Sequence, residues 1–334
     1  MLTFVIRRVL LFLPILIGLT IVVFLITHVF SDPAAMYYTK DLSPSEVQRI
    51  REKHGFNRPY IVQYFSYLNR LVHVDLGYST SSRSTILQAF AKKIPATFEL
   101  ALTSLLFAVI LGVRLGLVSA IRKGTIVDQV TRISALAGFS LPLFWVALVL
   151  LLFFYVDLGW LPLGRYSSKI WPLSQHHTNF YLLDAVINGS WRQFVDAIRH
   201  LILPTITLGY YCLGLITRMM RSSVLEVAQK DYVRTARAKG LREEIVNMKH
   251  IRQNALLPTI TVIGFTFGGL MMGSVLTETV FSWPGLGSWA VKAIKNNDTA
   301  AIMNYVLLVG VIYSVVNLLV DISYGYINPK VRLD

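Results

Sequence analysis

Charged residues are scarce in this chain of 334 residues, at 15% against 54% hydrophobic, and the mean hydropathy is +0.55. A soluble fold of this size would lack the polar side chains to cover its core, so the chain reads as an integral membrane protein built from helices. There is one cysteine, Cys212, inside an apolar stretch, which excludes an internal disulfide. His176 and His177 are adjacent, but neighbours point apart on a helix and no further ligand stands at metal spacing. No Gly-x4-Gly-Lys-Ser/Thr phosphate loop is present, which leaves any nucleotide chemistry to another polypeptide. The run Gly138-Phe139-Ser140-Leu141-Pro142 lacks the second glycine of a nucleophile turn, and no histidine on a neighbouring span could act as its base. Acidic residues are few, leaving a net charge of +14. The surplus falls in loops between apolar runs, with no basic and aromatic stripe, so it reads as membrane orientation and not as nucleic-acid binding.

Six apolar runs are present: Val9–Phe30, Thr97–Ala120, Ile133–Val156, Leu201–Met220, Ala255–Val280 and Tyr305–Tyr324. The first is long enough to span a bilayer and no Ala-x-Ala site follows it, so it reads as a retained helix and not as a signal peptide. Basic residues favour a topology with both termini cytoplasmic. The organisation expected is an N-terminal span (1–30), a folded extracytoplasmic insert (31–95), a core of five further spans (96–327) and a short tail (328–334). Helical patches in the insert fall at Pro44 to Lys53 and Tyr60 to Val72. Gly112 with Gly116 permits close helix contact, as do Gly264 with Gly268 and Gly269 with Gly273, which would place the fifth span at the centre of the bundle. Arg114 should snorkel to the interface. The third span reads as a proline-kinked helix, and Trp160, Trp171 and Trp191 favour an interfacial position in the outer loop 157–199.

The chain is organised around the polar loop 221–254. Asp231 can cap a short helix over Tyr232 to Lys239, Arg237 and Lys239 complement its dipole, and Gly240 stands just past its end. Glu243 and Glu244 would open a second helix. Ala236, Ala238 and Gly240 are small enough to let a partner's backbone approach. Pro258 is expected in the opening turn of the fifth span, where proline costs little.

Stretches spread over nearly the whole chain resemble the first permease subunit of the dipeptide, oligopeptide and nickel branch of ATP-binding-cassette importers: FVIRRVLLFLPILIGLTIVVFLI, KKIPATFELAL, GFSLPLFWVALVLLLFF with LGWLP, DYVRTARAKG with NALLP, ETVFSWPGLG and NLLVDISYGYINPKVR. The resemblance implies a type I importer permease fold in the plasma (inner) membrane, with six transmembrane helices and an extracytoplasmic insert after the first. It implies as partners a second homologous permease, one or two kinds of cytoplasmic ATPase and an extracytoplasmic binding protein. ATP and magnesium would sit on the ATPases, and no cofactor on this chain. It also implies that the loop docks a short helix on an ATPase. Arg234, Thr235 and Ala236 stand where that family has Glu-Ala-Ala, Gly240 is its glycine, and Leu257 with Pro258 its closing pair. Asp231, Tyr232, Arg237, Ala238 and Lys239 complete the docking segment, and a bulky residue at Gly240 or Ala236 is expected to uncouple hydrolysis from uptake.

For the substrate pathway the candidates are Thr266, Ser274, Thr277 and Glu278 in the fifth span, with hydrogen bonding to their own helix the alternative for the hydroxyls. Asp321 in the sixth span is a further candidate. Peptides are the expected cargo, nickel chelates or oligosaccharides the alternatives. An ion-coupled secondary transporter is the rival class. It would need a carboxylate relay, for which only Glu99, Glu278 and Asp321 are placed in or at the edges of spans.

Overall fold

The computed structural model describes residues 2–29, 43–171, 176–272 and 274–327. Gly273, residues 30–42 of the first span's end and the insert, and the tail 328–334 lie outside the described residues. Among the described residues the regular structure is helical apart from a two-stranded antiparallel ribbon, β1 (Tyr78–Ser79) with β2 (Ser84–Thr85), in which Tyr78 pairs with Thr85.

The first span is α1 (Leu2–Val29). Insert helices α2 (Pro44–His54) and α3 (Tyr60–Val72) form where the sequence places them. α3 packs on α1 through Tyr64 and Tyr67 against Phe24, and the Thr20 and Tyr64 hydroxyls share a hydrogen bond at 2.9 Å. The second span starts earlier than expected, as α4 (Ile86–Ile121), because Thr85 and Gln88 form a capping box immediately after β2. The last residues assigned to the insert are therefore the first turns of this helix.

The third span is not one kinked helix. It divides into α5 (Ile126–Ser140) and α6 (Leu143–Leu151), the latter extended by a π-helical turn to Asp157, and the two meet at 98°. Leu141 is extended and Pro142 caps α6, as expected where the residue before proline is driven out of the helical region. Among the described residues, five helices are long and apolar enough to cross a membrane, or six when this bent pair counts as one span.

Beyond the short α7 (Tyr181–Ile187) runs α8 (Trp191–Val227), which is the centre of the bundle. Its apolar window is 67% buried, against 28% for the helix of the fifth span. The reason is the placement of glycines. A Cβ at Gly112 would meet Ile216 at 3.0 Å, and one at Gly116 would meet Met220 and the Thr217 carbonyl at 2.7 Å, so α4 and α8 touch backbone to backbone. Gly116→Val is accordingly expected to cost about 1–3 kcal/mol through overpacking, read as earlier thermal unfolding in detergent. Gly269→Ala, with nothing within 4 Å of its added Cβ and a position inside α11, should not lower the transition and should raise it slightly.

The fifth span begins as the short α10 (Glu243–Ile245), passes through a π-helical turn (Val246–Ile251) and continues as α11 (Arg252–Met271). Pro258 is thus inside a helix and not in its opening turn, because the helix starts well before Ala255. The span then breaks, and Ser274 heads a separate helix, α12 (Val275–Val280). Gly264 and Gly268 bring α11 against Val320 and Val316 of α14 (Thr299–Ile327), while its other side borders a cavity. The expected outer segment contains α13 (Leu286–Lys295), whose Leu286, Trp289 and Ala293 pack on Ile86, Ala89 and Phe90 of α4.

Buried carboxylates fasten the non-spanning parts. Asp298 accepts from Ser79 Oγ (2.7 Å), Ser81 Oγ (2.6 Å), Ser81 N (2.9 Å) and Ala301 N (3.1 Å), which ties the ribbon to the start of α14. Burial works to raise its pKa, but the donated hydrogen bonds outweigh it and hold the carboxyl below the ordinary 3.8. A lowered folded-state pKa stabilises above the unfolded value and is lost as pH falls through the folded one. Protection of the Ser79–Thr85 amides, read as hydrogen exchange relative to the intrinsic rate at each pH, is therefore expected to fall as pH is lowered from the ordinary aspartate range, and Asp298→Asn to abolish that pH dependence.

Trp171 is not an interfacial anchor. It is 2% exposed, stacked on Tyr181, and donates from Nε1 to Asp196 at 3.1 Å, whereas Trp160 and Trp191 are exposed as expected.

Candidate functional site

The polar loop folds into a projection at the end of the bundle opposite the insert. Its helix, α9 (Asp231–Ala238), is capped by Lys230 and not by Asp231, which instead enters the first turn with its carboxylate exposed, 3.7 Å from Arg234. Lys230 is the residue with extended backbone, ψ 147°, so the helix starts one position earlier than expected. Gly240 ends the segment in the left-handed region at φ 73°. Its amide bonds to the Arg237 carbonyl at 2.9 Å, and that of Leu241 to Ala236 at 3.4 Å. A side chain at 240 would meet open space, so substitution there costs backbone conformation alone, about 1 kcal/mol.

A helix of eight residues is marginal alone. Val233 and Ala236 hold it, both buried in a cluster with Met220 and Val224 of α8, Val246 and Ile251 of the π turn, and Ala255 of α11. The small size of Ala236 therefore serves this chain's own packing. A bulky residue there would lift α9 off its base and not merely block a partner. Tyr232, Arg234, Thr235, Arg237, Ala238 and Lys239 face outward, and Arg237 pairs with Glu243 at 2.9 Å. Leu257 and Pro258 are half-buried in α11.

Beneath this projection, Arg221 donates to both oxygens of Asp128, at 2.8 and 3.0 Å, and Ser119 adds a bond at 2.6 Å. Asp128 is 2% exposed and also accepts from Gly124 N at 3.0 Å, so α4, α5 and α8 are locked together where α8 leads into the loop. Sequence reasoning did not single out Asp128. The spacing Thr125-x-x-Asp128, in which the Thr125 hydroxyl accepts from the Asp128 amide, was the available signal.

The four pathway candidates do not form one constellation. Thr266 and Ser274 line a cavity of about 530 Å³ together with Phe265, Tyr211 and Cys212. Thr266 donates to the Val262 carbonyl of its own helix at 2.6 Å, while Ser274 Oγ is buried without a partner. Thr277 and Glu278 are fully buried on α12. Glu278 accepts from Thr97 Oγ1 at 2.8 Å and Ser288 N at 2.9 Å, which binds α12 to α4 and α13. A Cβ at Gly285 would stand 2.5 Å from that carboxyl, so glycine is needed there.

Glu99 is equally committed. It pairs with Arg165 at 2.8 Å and accepts from Leu182 N at 2.8 Å, both side chains nearly dry. Arg165 also donates to the Asn179 carbonyl at 2.6 Å and lies 4.2 Å from the Tyr181 ring centre. The relay needed by an ion-coupled transporter is not assembled: Glu99 and Glu278 are each bound to separate structural partners, and Asp321 is half-buried on α14. No cluster of three or more His, Cys, Asp or Glu suited to a metal occurs among the described residues.

A bundle of long apolar helices, with a packed polar projection at one end and a folded cap at the other, defines a multi-pass membrane protein of the permease type. Residues 112–333 match the model of the binding-protein-dependent transport system inner membrane component, and residues 1–101 match the N-terminal model of such membrane components. The chain belongs to this family of transport permeases and is not itself the enzyme that supplies the energy. It is 40% identical over 334 residues to the dipeptide transport system permease protein DppB of Alkalihalophilus pseudofirmus, covering 99% of this chain and 100% of that one. It is 40% identical over 336 residues to DppB of Escherichia coli K12, covering 99% of each. The glutathione transport system permease protein GsiC of Pectobacterium atrosepticum is 34% identical over 333 residues, with 99% of each chain covered. An inward-facing structure of the MetNI methionine ABC transporter shares the fold, with TM-score 0.54, 16% identity, and coverage of 72% of this chain and 97% of that chain.

Proposed function

We propose that this chain is the transmembrane permease subunit of an ATP-driven importer that carries di- and oligopeptides across the plasma (inner) membrane, with both termini cytoplasmic. The observation that carries this reading is the 40% identity to dipeptide permeases, which extends over 99% of the chain. The partners are a second, homologous permease, one or two cytoplasmic ATPases that hold ATP and magnesium, and an extracytoplasmic binding protein that delivers the cargo. The chain itself binds no cofactor. Two features of the fold support the coupling role of α9: its apolar face is used up by its own base, and its outward face is left to a partner. Hydrolysis would displace this segment as a lever and rock the spans between inward- and outward-open states. The test is reconstitution of the chain with its permease, ATPase and binding-protein partners in vesicles. ATP-dependent uptake of a labelled dipeptide is expected. Uptake driven by a proton or sodium gradient with this chain alone would overturn the reading.

A further inference from the structure

Between α5 and α8, at the end of the bundle that carries α9, lies a cavity of about 370 Å³ whose walls divide into two kinds. One is apolar, made of Leu136, Phe139 and Leu225. The other is made of Arg132, Arg218 and Arg221. Asp128 neutralises Arg221, but no carboxylate pairs with Arg132 or Arg218 among the described residues. Arg218 instead lies over the Phe139 ring at 5.4 Å.

We infer that this cavity binds a phosphate-bearing anion, and that the anion is the headgroup of an anionic phospholipid with its acyl chain along Leu136, Phe139 and Leu225. The two uncompensated arginines supply the charge, and the apolar wall is of no use to free phosphate. Basic recesses between spanning helices are suited to such headgroups, to which arginines near the surface are attracted. Because the recess adjoins the Arg221–Asp128 lock, an occupant would brace the joint from which α8 enters the coupling loop.

The test uses the assembled importer purified from membranes and returned to vesicles of phosphatidylcholine with or without phosphatidylglycerol, retained lipid being read by native mass spectrometry. Wild type is expected to keep phosphatidylglycerol selectively. The double variant Arg132→Gln, Arg218→Gln should lose about thirtyfold in affinity for it. Arg114→Gln, on the exposed side of α4, should leave that affinity unchanged. Equal retention of phosphatidylcholine, unchanged binding in the double variant, or displacement of the lipid by millimolar inorganic phosphate would each overturn the assignment.

Discussion

Replacing Glu99 by alanine is expected to lower the stability of the chain by about 3–5 kcal/mol, the usual result of stranding one partner of a buried pair. Arg165 would be left charged in a site where it is 5% exposed, retaining the Asn179 carbonyl and the Tyr181 and Trp283 rings but no carboxylate among the described residues. The Leu182 amide would lose its acceptor at the same time. Thermal unfolding of the purified protein should show the loss, and protease sensitivity should rise in residues 157–190, which this pair pins to α4. The double variant Glu99→Met, Arg165→Met should recover most of the stability, because replacing both charges removes the penalty along with the attraction. A single variant that unfolds like the wild type would show that the pair is not what holds this cap.

The second expectation concerns α9 and separates its two faces. Ala238→Trp, on the outward face, should leave folding and membrane insertion intact while reducing ATP-driven uptake by at least about thirtyfold, the equivalent of losing a contact worth 2 kcal/mol at an interface centre. ATP hydrolysis by the assembled complex should no longer follow uptake. Ala236→Trp, on the inward face, should instead destabilise the base formed by Val233, Met220 and Val246. It would therefore reduce the amount of folded protein as well as uptake. If both variants behaved alike, the division of faces seen in the structure would not govern coupling.

Much of the architecture was legible in the residues. The spans followed from run length, the insert helices at Pro44 and Tyr60 from local pattern, and a close helix contact of α4 from Gly112 and Gly116, although not that α8 is the helix met there. The end of α9 was readable from Gly240, because a left-handed position past a helix has few other occupants. What could not be read were pairings between distant positions. Nothing in the sequence connects Glu99 to Arg165, Asp128 to Arg221, or Glu278 to Thr97, since a carboxylate's partner is set by how the helices cross. For the same reason Trp171 looked like an interfacial anchor until the loop folded over it. The burial of Ala236 could not be read either, as an alanine on a short helix suits its own core and a visiting partner equally well.

The sequence alone determined that this is an all-helical membrane protein, where its apolar runs lie, and that a basic helix projects between two of them. These are properties of local composition and period, which one-dimensional order carries directly. Only the tertiary structure decided that α8 is the axis, that the third and fifth spans break, which face of α9 is free, and which carboxylates are fastenings. Each of these depends on contacts between residues far apart in the chain, and such contacts exist only once the helices have packed.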